Sequence, residues 1–326
     1  MSESKEKKRR ESVHLDETVK LLFEVSKELL VQTLNSLFNE KYSADSVTID
    51  KTATEYPKND FSMLRADIFI KITEHKPHHF HVEVETEPSN DIAVRVFEYD
   101  VMKAISNWRL EGNTTGTPEL FMPKSVVIHI EGGGSIPQKH HSVKLNMADG
   151  KSINYTAKIM RYWEYDKDRL IKEKLYTLLP LQVFMLRDEL DRMTKKGDKE
   201  ALQGATLKAR NLTREIANEI IKVHRKNKIS FYDADRVLLA LQELFTHLNN
   251  RYSGDEKLNS EVKNMVRTLI DENMRRQLEQ AEEKVENRAI EIAIGLFDVL
   301  DVETIAKKTK LSLEKVLELK EKHFKG

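Results

Sequence analysis

The sequence predicts an α/β protein whose second half is α-helical, and three observations predict it. Residues 63–72 and 80–85 alternate in polarity with a period of two, as strands with distinct faces do. The segments before and after them, Asp16–Glu40 and Asp91–Trp108, carry apolar residues at helical spacing. From Asp168 onward only the 3.6-residue period remains.

Taken in order, residues 1–12 hold Lys, Arg, Glu and Ser and almost nothing apolar, so a disordered tail is expected. Asp16 is placed to cap a helix to Glu40, with Val19, Leu22, Phe23, Leu29, Leu30, Leu34, Leu37 and Phe38 as its buried stripe. Ser46–Tyr56 reads as a first strand, with Glu55 just before the turn at Pro57–Asp60. In the second strand Ala66, Ile68, Ile70 and Ile72 share one face and Arg65, Asp67, Phe69 and Lys71 the other. The hairpin tip carries His75, His78 and His79 beside Pro77; they lack helical i,i+4 spacing and read as a solvated turn rather than a zinc site. In the third strand Phe80, Val82 and Val84 oppose His81, Glu83 and Glu85.

Asn90 or Asp91 is placed to cap the next helix, on which Asp91, Arg95 and Tyr99 stack at i,i+4 spacing. Arg95 can therefore reach either Asp91 or the carboxylates of the third strand. Lys124–Glu131 is apolar enough to be a central strand. The Gly132–Gly134 run lacks the spacing of a phosphate-binding loop and reads as a turn. Ser142–Asn146 and Ser152–Ile159 flank Asp149-Gly150, a hairpin signal. Helices follow at Tyr176–Met193 (interrupted by Pro180), Lys199–Asn227, Asp233–Leu248 and Asp255–Asn287. Glu279–Glu286 is charged enough to be a solvated or coiled segment. The last unit, from Arg288, suits a helix-turn-helix with Ser312 as the second cap. Glu314, Glu318 and Glu321 on its final helix favour a packing or oligomerisation motif over a DNA reader.

The pattern that carries chemistry is acidic. Hairpin pairing can set Asp67 beside Glu83 and Glu85. Two carboxylates about 5 Å apart at an effective dielectric of about 20 repel by roughly 3 kcal/mol. Such a group is kept if it is solvated, shares a proton, or holds a cation. Oxygen-preferring divalent ions, Mg²⁺ above all, bind through one or two carboxylates plus substrate phosphate. A solvated polar face is the alternative on spacing alone.

These residues resemble a known superfamily. An Asp in one strand, a hairpin, Glu-x-Lys in the next strand and then a helix is the core motif of the PD-(D/E)XK nucleases. The chain is most similar to the recombination-promoting, transposase-related branch, where the second strand reads Glu-x-Gln and the helix contains Arg-x-x-x-Tyr. Here Leu64-Arg65-Ala66-Asp67, His81–Thr86 and Arg95-Val96-Phe97-Glu98-Tyr99 occupy those places, and the resemblance runs from about Glu17 to about Leu190. It implies a restriction-endonuclease-like αβββαβ core over 13–165, which the helical period follows with a helical region over 166–287 and a small helical tail over 288–326. It implies Mg²⁺, or Mn²⁺, held by Asp67, Glu83 and Glu85, with Arg95 as the site's cation. It also implies cleavage of DNA phosphodiesters, linked to recombination or DNA mobility. Glu24, Glu28 and Glu55 are further carboxylates that such a site can recruit. Glu85 departs from the pattern, because glutamate cannot supply the positive charge of the superfamily's Lys. A nucleic-acid-binding or regulatory protein on an impaired nuclease scaffold, and a helical protein-interaction module, are the alternatives.

Composition bounds these readings. Lys plus Arg equals Asp plus Glu, so the chain is not basic throughout, although a local patch remains compatible with a DNA partner. No cysteine is present, which excludes disulfides and thiolate zinc sites. No apolar run approaches the length of a membrane span, and no signal-peptide core is found. A cytoplasmic protein with no membrane partner is expected, and a homodimer is a further expected partner.

Overall fold

Pro77–Glu85 (β5) is paired on both edges and buried on both faces, and it fills the two faces with two kinds of residue. Phe80 and Val82 on one face, and His81 and Glu83 on the other, are all buried. The computed structural model describes residues 18–52, 55–57, 63–65, 68–85, 89–110, 117–132, 136–137 and 139–325, the side chains of 52, 55–57, 63–65 and 325 excepted. The chain divides into two compact units, residues 1–266 and 267–326. No helix among the described residues is long and apolar enough to cross a membrane.

The first unit is built on a six-stranded mixed sheet. With Thr48–Thr52 as β1, Glu55–Pro57 as β2, Met63–Arg65 as β3, Ile68–Thr73 as β4, Lys124–His129 as β6, His140–Asn146 as β7 and Ser152–Arg161 as β8, its order is β1-β4-β5-β6-β8-β7. β2 and β3 form a separate two-stranded ribbon that sets Glu55 opposite Arg65. The tight β4–β5 hairpin pairs Ile68 with Val82 and Phe69 with His81. β5 and β6 are parallel, which requires a crossover; the helix Ile92–Leu110 (α2) supplies it. Gly150, at φ +82°, closes the β7–β8 turn in a conformation that L side chains avoid.

One helical layer lies on each face. The helix Lys27–Phe38 (α1) covers the Phe80 face, with Phe38 and Phe80 ring centroids 4.9 Å apart. α2 covers the opposite face, where Ile92 and Val96 pack on Val127 and Ala157. The single helix expected over 16–40 is broken at 22–26, and Ser26, not Asp16, caps α1; Asp16 lies outside the described residues. Tertiary partners stabilise the break. Lys51 Nζ donates to the Phe23 carbonyl at 2.7 Å and Arg236 Nε to that of Glu24 at 3.2 Å, so carbonyls the broken helix leaves unpaired find donors.

The helices that follow the sheet, as far as residue 266, belong to this unit. After short helices at Lys167–Lys172 (α3) and Leu181–Phe184 (α4) come Arg187–Lys196 (α5), Lys199–Arg225 (α6) and Phe231–Tyr252 (α7). Pro180 stands just before α4, where a missing N–H costs no helical hydrogen bond. The buried Tyr162 hydroxyl donates to the Leu178 carbonyl at 2.7 Å, and Thr33 of α1 meets Thr177 at 3.3 Å. Asp233, in the first turn of α7, accepts from Ser26 N at 2.7 Å and Ser26 Oγ at 2.8 Å. The same carboxylate accepts from Ser230 Oγ at 2.7 Å, so one side chain joins the caps of α1 and α7.

In the second unit, part of the long helix Glu256–Gly295 (α8) is followed by Val302–Thr309 (α9) and Leu313–Lys325 (α10). Ala293, Phe297, Ile305 and Val316 form its core, and Ser312 Oγ accepts from Lys315 N at 3.2 Å as expected of a cap. The division between the two compact units falls inside α8, after residue 266.

Candidate functional site

The polar face of β5 runs His79, His81, Glu83, Glu85, and α2 lies over it with a matching row. Asn107 meets His79, Asp100 meets His81, and Arg95 meets Glu83 and Glu85. The match follows from two periods: alternate strand residues share a face, and helix positions 92, 96, 99, 100, 103 and 107 turn towards the sheet.

Arg95 Nη2 donates to Glu83 Oε1 at 3.1 Å and also to Glu85 Oε2. One guanidinium thus bridges the two carboxylates that the sequence places on one strand face. Burial raises the pKa of Glu85, while Arg95 opposes the shift and the nearby Glu83 and Asp91 charges add to it. Burial works against charge on Arg95 too, but Glu83 and Glu85 raise its pKa above the ordinary value, so it stays a cation.

Behind Glu83 lies His81, which is fully buried. Its Nδ1 is 2.8 Å from Asp100 Oδ1 and its Nε2 3.3 Å from Glu83 Oε2. Both ring nitrogens face acceptors, so both must carry protons and the ring is an imidazolium. Burial opposes that charge, but the hydrogen bonds to Asp100 and Glu83 outweigh it and push the pKa up to about 9. Asp100 also accepts from Ser125 Oγ and, at 2.5 Å, from Tyr155 OH. Phe69 stacks on His81 with centroids 4.3 Å apart, and the Lys103 ammonium sits 5.7 Å from the Phe69 ring centre.

A second imidazole cluster lies next along the sheet. The parallel register places His129 beside Glu85, so both project towards α2. His129 Nε2 is 2.8 Å from His141 Nε2, and burial, then His141 and Arg95, push the His129 pKa down to about 4. Burial lowers the His141 pKa as well, so the pair favours two neutral rings, one donating to the other.

The described residues place Glu83, Glu85 and Arg95 together. Asp67 lies outside them; it directly precedes Ile68, whose partner across the hairpin, Val82, directly precedes Glu83. Glu24 pairs with Arg236, and Glu28 is exposed on α1, the layer on the other side of the sheet; neither reaches Glu83. The Glu55 side chain is outside the description. The hairpin-tip histidines do not converge: His78 stands 5.7 Å from the Tyr42 ring and His79 turns to Asn107. Sequence reasoning missed His81, Asp100, Ser125, Tyr155, His129 and His141. The available signal was Asp100 and Lys103, charged residues at sheet-facing positions of an amphipathic helix.

Among the described residues no three His, Asp or Glu side chains are arranged to hold a metal ion. The chemistry of the donors does suit a hard cation: Glu83 and Glu85 offer carboxylate oxygens on one strand face, the ligand type that Mg²⁺ and Mn²⁺ prefer. Comparison of the chain with protein-family models, with curated proteins and with solved structures finds no match.

Proposed function

We propose that the first unit is a restriction-endonuclease-like core that hydrolyses DNA phosphodiesters with a divalent metal ion. The observation that supports this most is the pair Glu83 and Glu85 on one strand face, bridged by Arg95 from the crossover helix. Glu83 and Glu85, with Asp67, would hold Mg²⁺ or Mn²⁺. Bound there, the ion would polarise a phosphoryl oxygen and lower the pKa of a water. The chain's own part is electrostatic. Arg95 offers further N–H donors to a phosphate beyond those spent on the carboxylates. His81, held by Asp100, fixes the orientation of Glu83 from behind. A role in recombination or DNA mobility extends this reading.

One observation favours a second reading, a DNA-binding protein on an impaired scaffold. Arg95 already pairs with both carboxylates, and Glu85 stands where the resembled superfamily has Lys. Nicking of supercoiled plasmid in Mg²⁺ or Mn²⁺ separates the two. The wild type should nick. Glu83→Gln and Asp67→Ala should each lose about 100-fold or more of the rate, with an unchanged circular dichroism spectrum, while Glu85→Gln should lose less. No nicking under either ion, with salt-dependent retention on DNA intact, would establish the second reading instead.

A further inference from the structure

Along α8 the chain leaves a long stretch of helix without cover. Leu258, Val262 and Val266 are buried within the first unit, but every residue from Met274 to Arg288 is exposed, about 22 Å of helix at 1.5 Å per residue. Intrahelical pairs such as Arg267–Asp271 and Arg275–Glu279 are long, at 3.9 and 3.8 Å, and exposed. Such pairs add little to an isolated helix.

The exposed stretch is not polar all round. Met274, Leu278, Ala281, Val285 and Ile292 are exposed, Val285 to 71% and Leu278 to 58%. Their spacing is four, three, four and seven, the rhythm of alternating core positions in a heptad. Written as heptads, Asp271, Leu278, Val285 and Ile292 fall at a, and Arg267, Met274, Ala281 and Arg288 at d. The charged members decide which partner fits. A parallel pairing sets like positions together, so Asp271 would face Asp271 and Arg288 would face Arg288. An antiparallel pairing about a two-fold centred between residues 279 and 280 sets a against d. Met274 then meets the partner's Val285, Leu278 meets the partner's Ala281, and Asp271 meets the partner's Arg288. At the flanks Arg275 faces the partner's Glu282, again with opposite sign, and Arg267 can lay its aliphatic stem along the partner's Ile292. In this arrangement every seam charge finds an opposite charge or an apolar surface, which the parallel pairing does not allow.

We infer that the occupant of this face is a second copy of the chain, and that α8 forms an antiparallel two-stranded coiled coil over residues 267–292. The arrangement is isologous, so a closed dimer results and not a filament. It requires no nucleic acid and no metal, and it stands whether or not the first unit cleaves DNA.

The test uses the full chain. Light scattering after size exclusion, at micromolar concentration, should give a dimer for the wild type. Leu278→Glu with Val285→Glu should raise the dimer dissociation constant about 100-fold or more, because two apolar seam residues per copy become charged. The melting of the first unit should be unchanged in that variant, which guards against simple misfolding. Orientation is read by cross-linking, which the absence of native cysteine makes clean. Met274→Cys with Val285→Cys should oxidise to a covalent dimer, while either single variant should not. Within one helix these positions are about 16 Å apart, beyond disulfide reach. A wild type that stays monomeric, or a dimer indifferent to the two glutamates, would overturn the inference. Efficient cross-linking by a single variant would overturn the antiparallel orientation.

Discussion

Asp100→Ala is expected to destabilise the first unit by about 3–5 kcal/mol, in the range for breaking a buried ion pair from one side. Asp100 is fully buried and accepts from His81 Nδ1, Ser125 Oγ and Tyr155 OH. Removing it leaves the buried His81 ring with Glu83 as its remaining carboxylate partner, and two hydroxyls without their acceptor. Asp100→Asn keeps the shape and one acceptor oxygen, and should cost roughly half as much. Urea titration followed by circular dichroism measures both; a loss below about 1 kcal/mol for Asp100→Ala would show that the network contributes little net stability.

The same network fixes a pH dependence. His81 has a folded-state pKa of about 9 against an ordinary value of 6.5. A raised pKa contributes stability that is fully present below about pH 6.5 and is lost as pH rises through about 9. The contribution is on the order of 3 kcal/mol. Wild-type stability should therefore fall between pH 6.5 and 9. In Asp100→Ala the principal hydrogen bond to His81 is gone and burial dominates, so the slope over this window should shrink or reverse. An unchanged slope would assign the titration to other groups.

Arg187→Ala is expected to cost a similar 3–5 kcal/mol. Glu131 follows the end of β6 and Arg187 opens α5; both are buried, and the guanidinium grips the carboxylate through Nε and through Nη2 at 2.8 Å. The truncation would leave the Glu131 charge in a low-dielectric site. The double change Arg187→Met with Glu131→Leu removes both charges, and should recover a large part of the loss. If the double variant is less stable than the single one, the pair contributes more than the cost of its own desolvation.

Much of the sheet was legible because period-two patterning survives any tertiary context. The β4–β5 hairpin follows from it, the buried β6 from its apolar run, and the β7–β8 turn from Asp149-Gly150. Glu83, Glu85 and Arg95 were legible as a group because a strand face and a helix turn each fix side-chain direction locally. The break at 22–26 was not legible. Val19 to Phe38 keeps an apolar stripe through it, and its carbonyls are satisfied by Lys51 and Arg236 from distant segments. His81 was hidden for a related reason. On a strand it reads as one more polar residue opposite Val82, and only the crossover helix brings Asp100 onto it. Long-range polar pairing has no sequence period, so no window of residues contains it.

The Asp233 tie has a consequence for synthesis. Its carboxylate fastens the cap of α1 from a position 207 residues further along the chain. At elongation rates of about 5–20 residues per second, some 10–40 s separate the emergence of Ser26 from that of its anchor. Through that interval the nascent sheet carries its first helix without the side chain that fastens its N-terminal cap, and α4, α5 and α6 lack the helix they pack on. The first unit therefore closes late and from its C-terminal side.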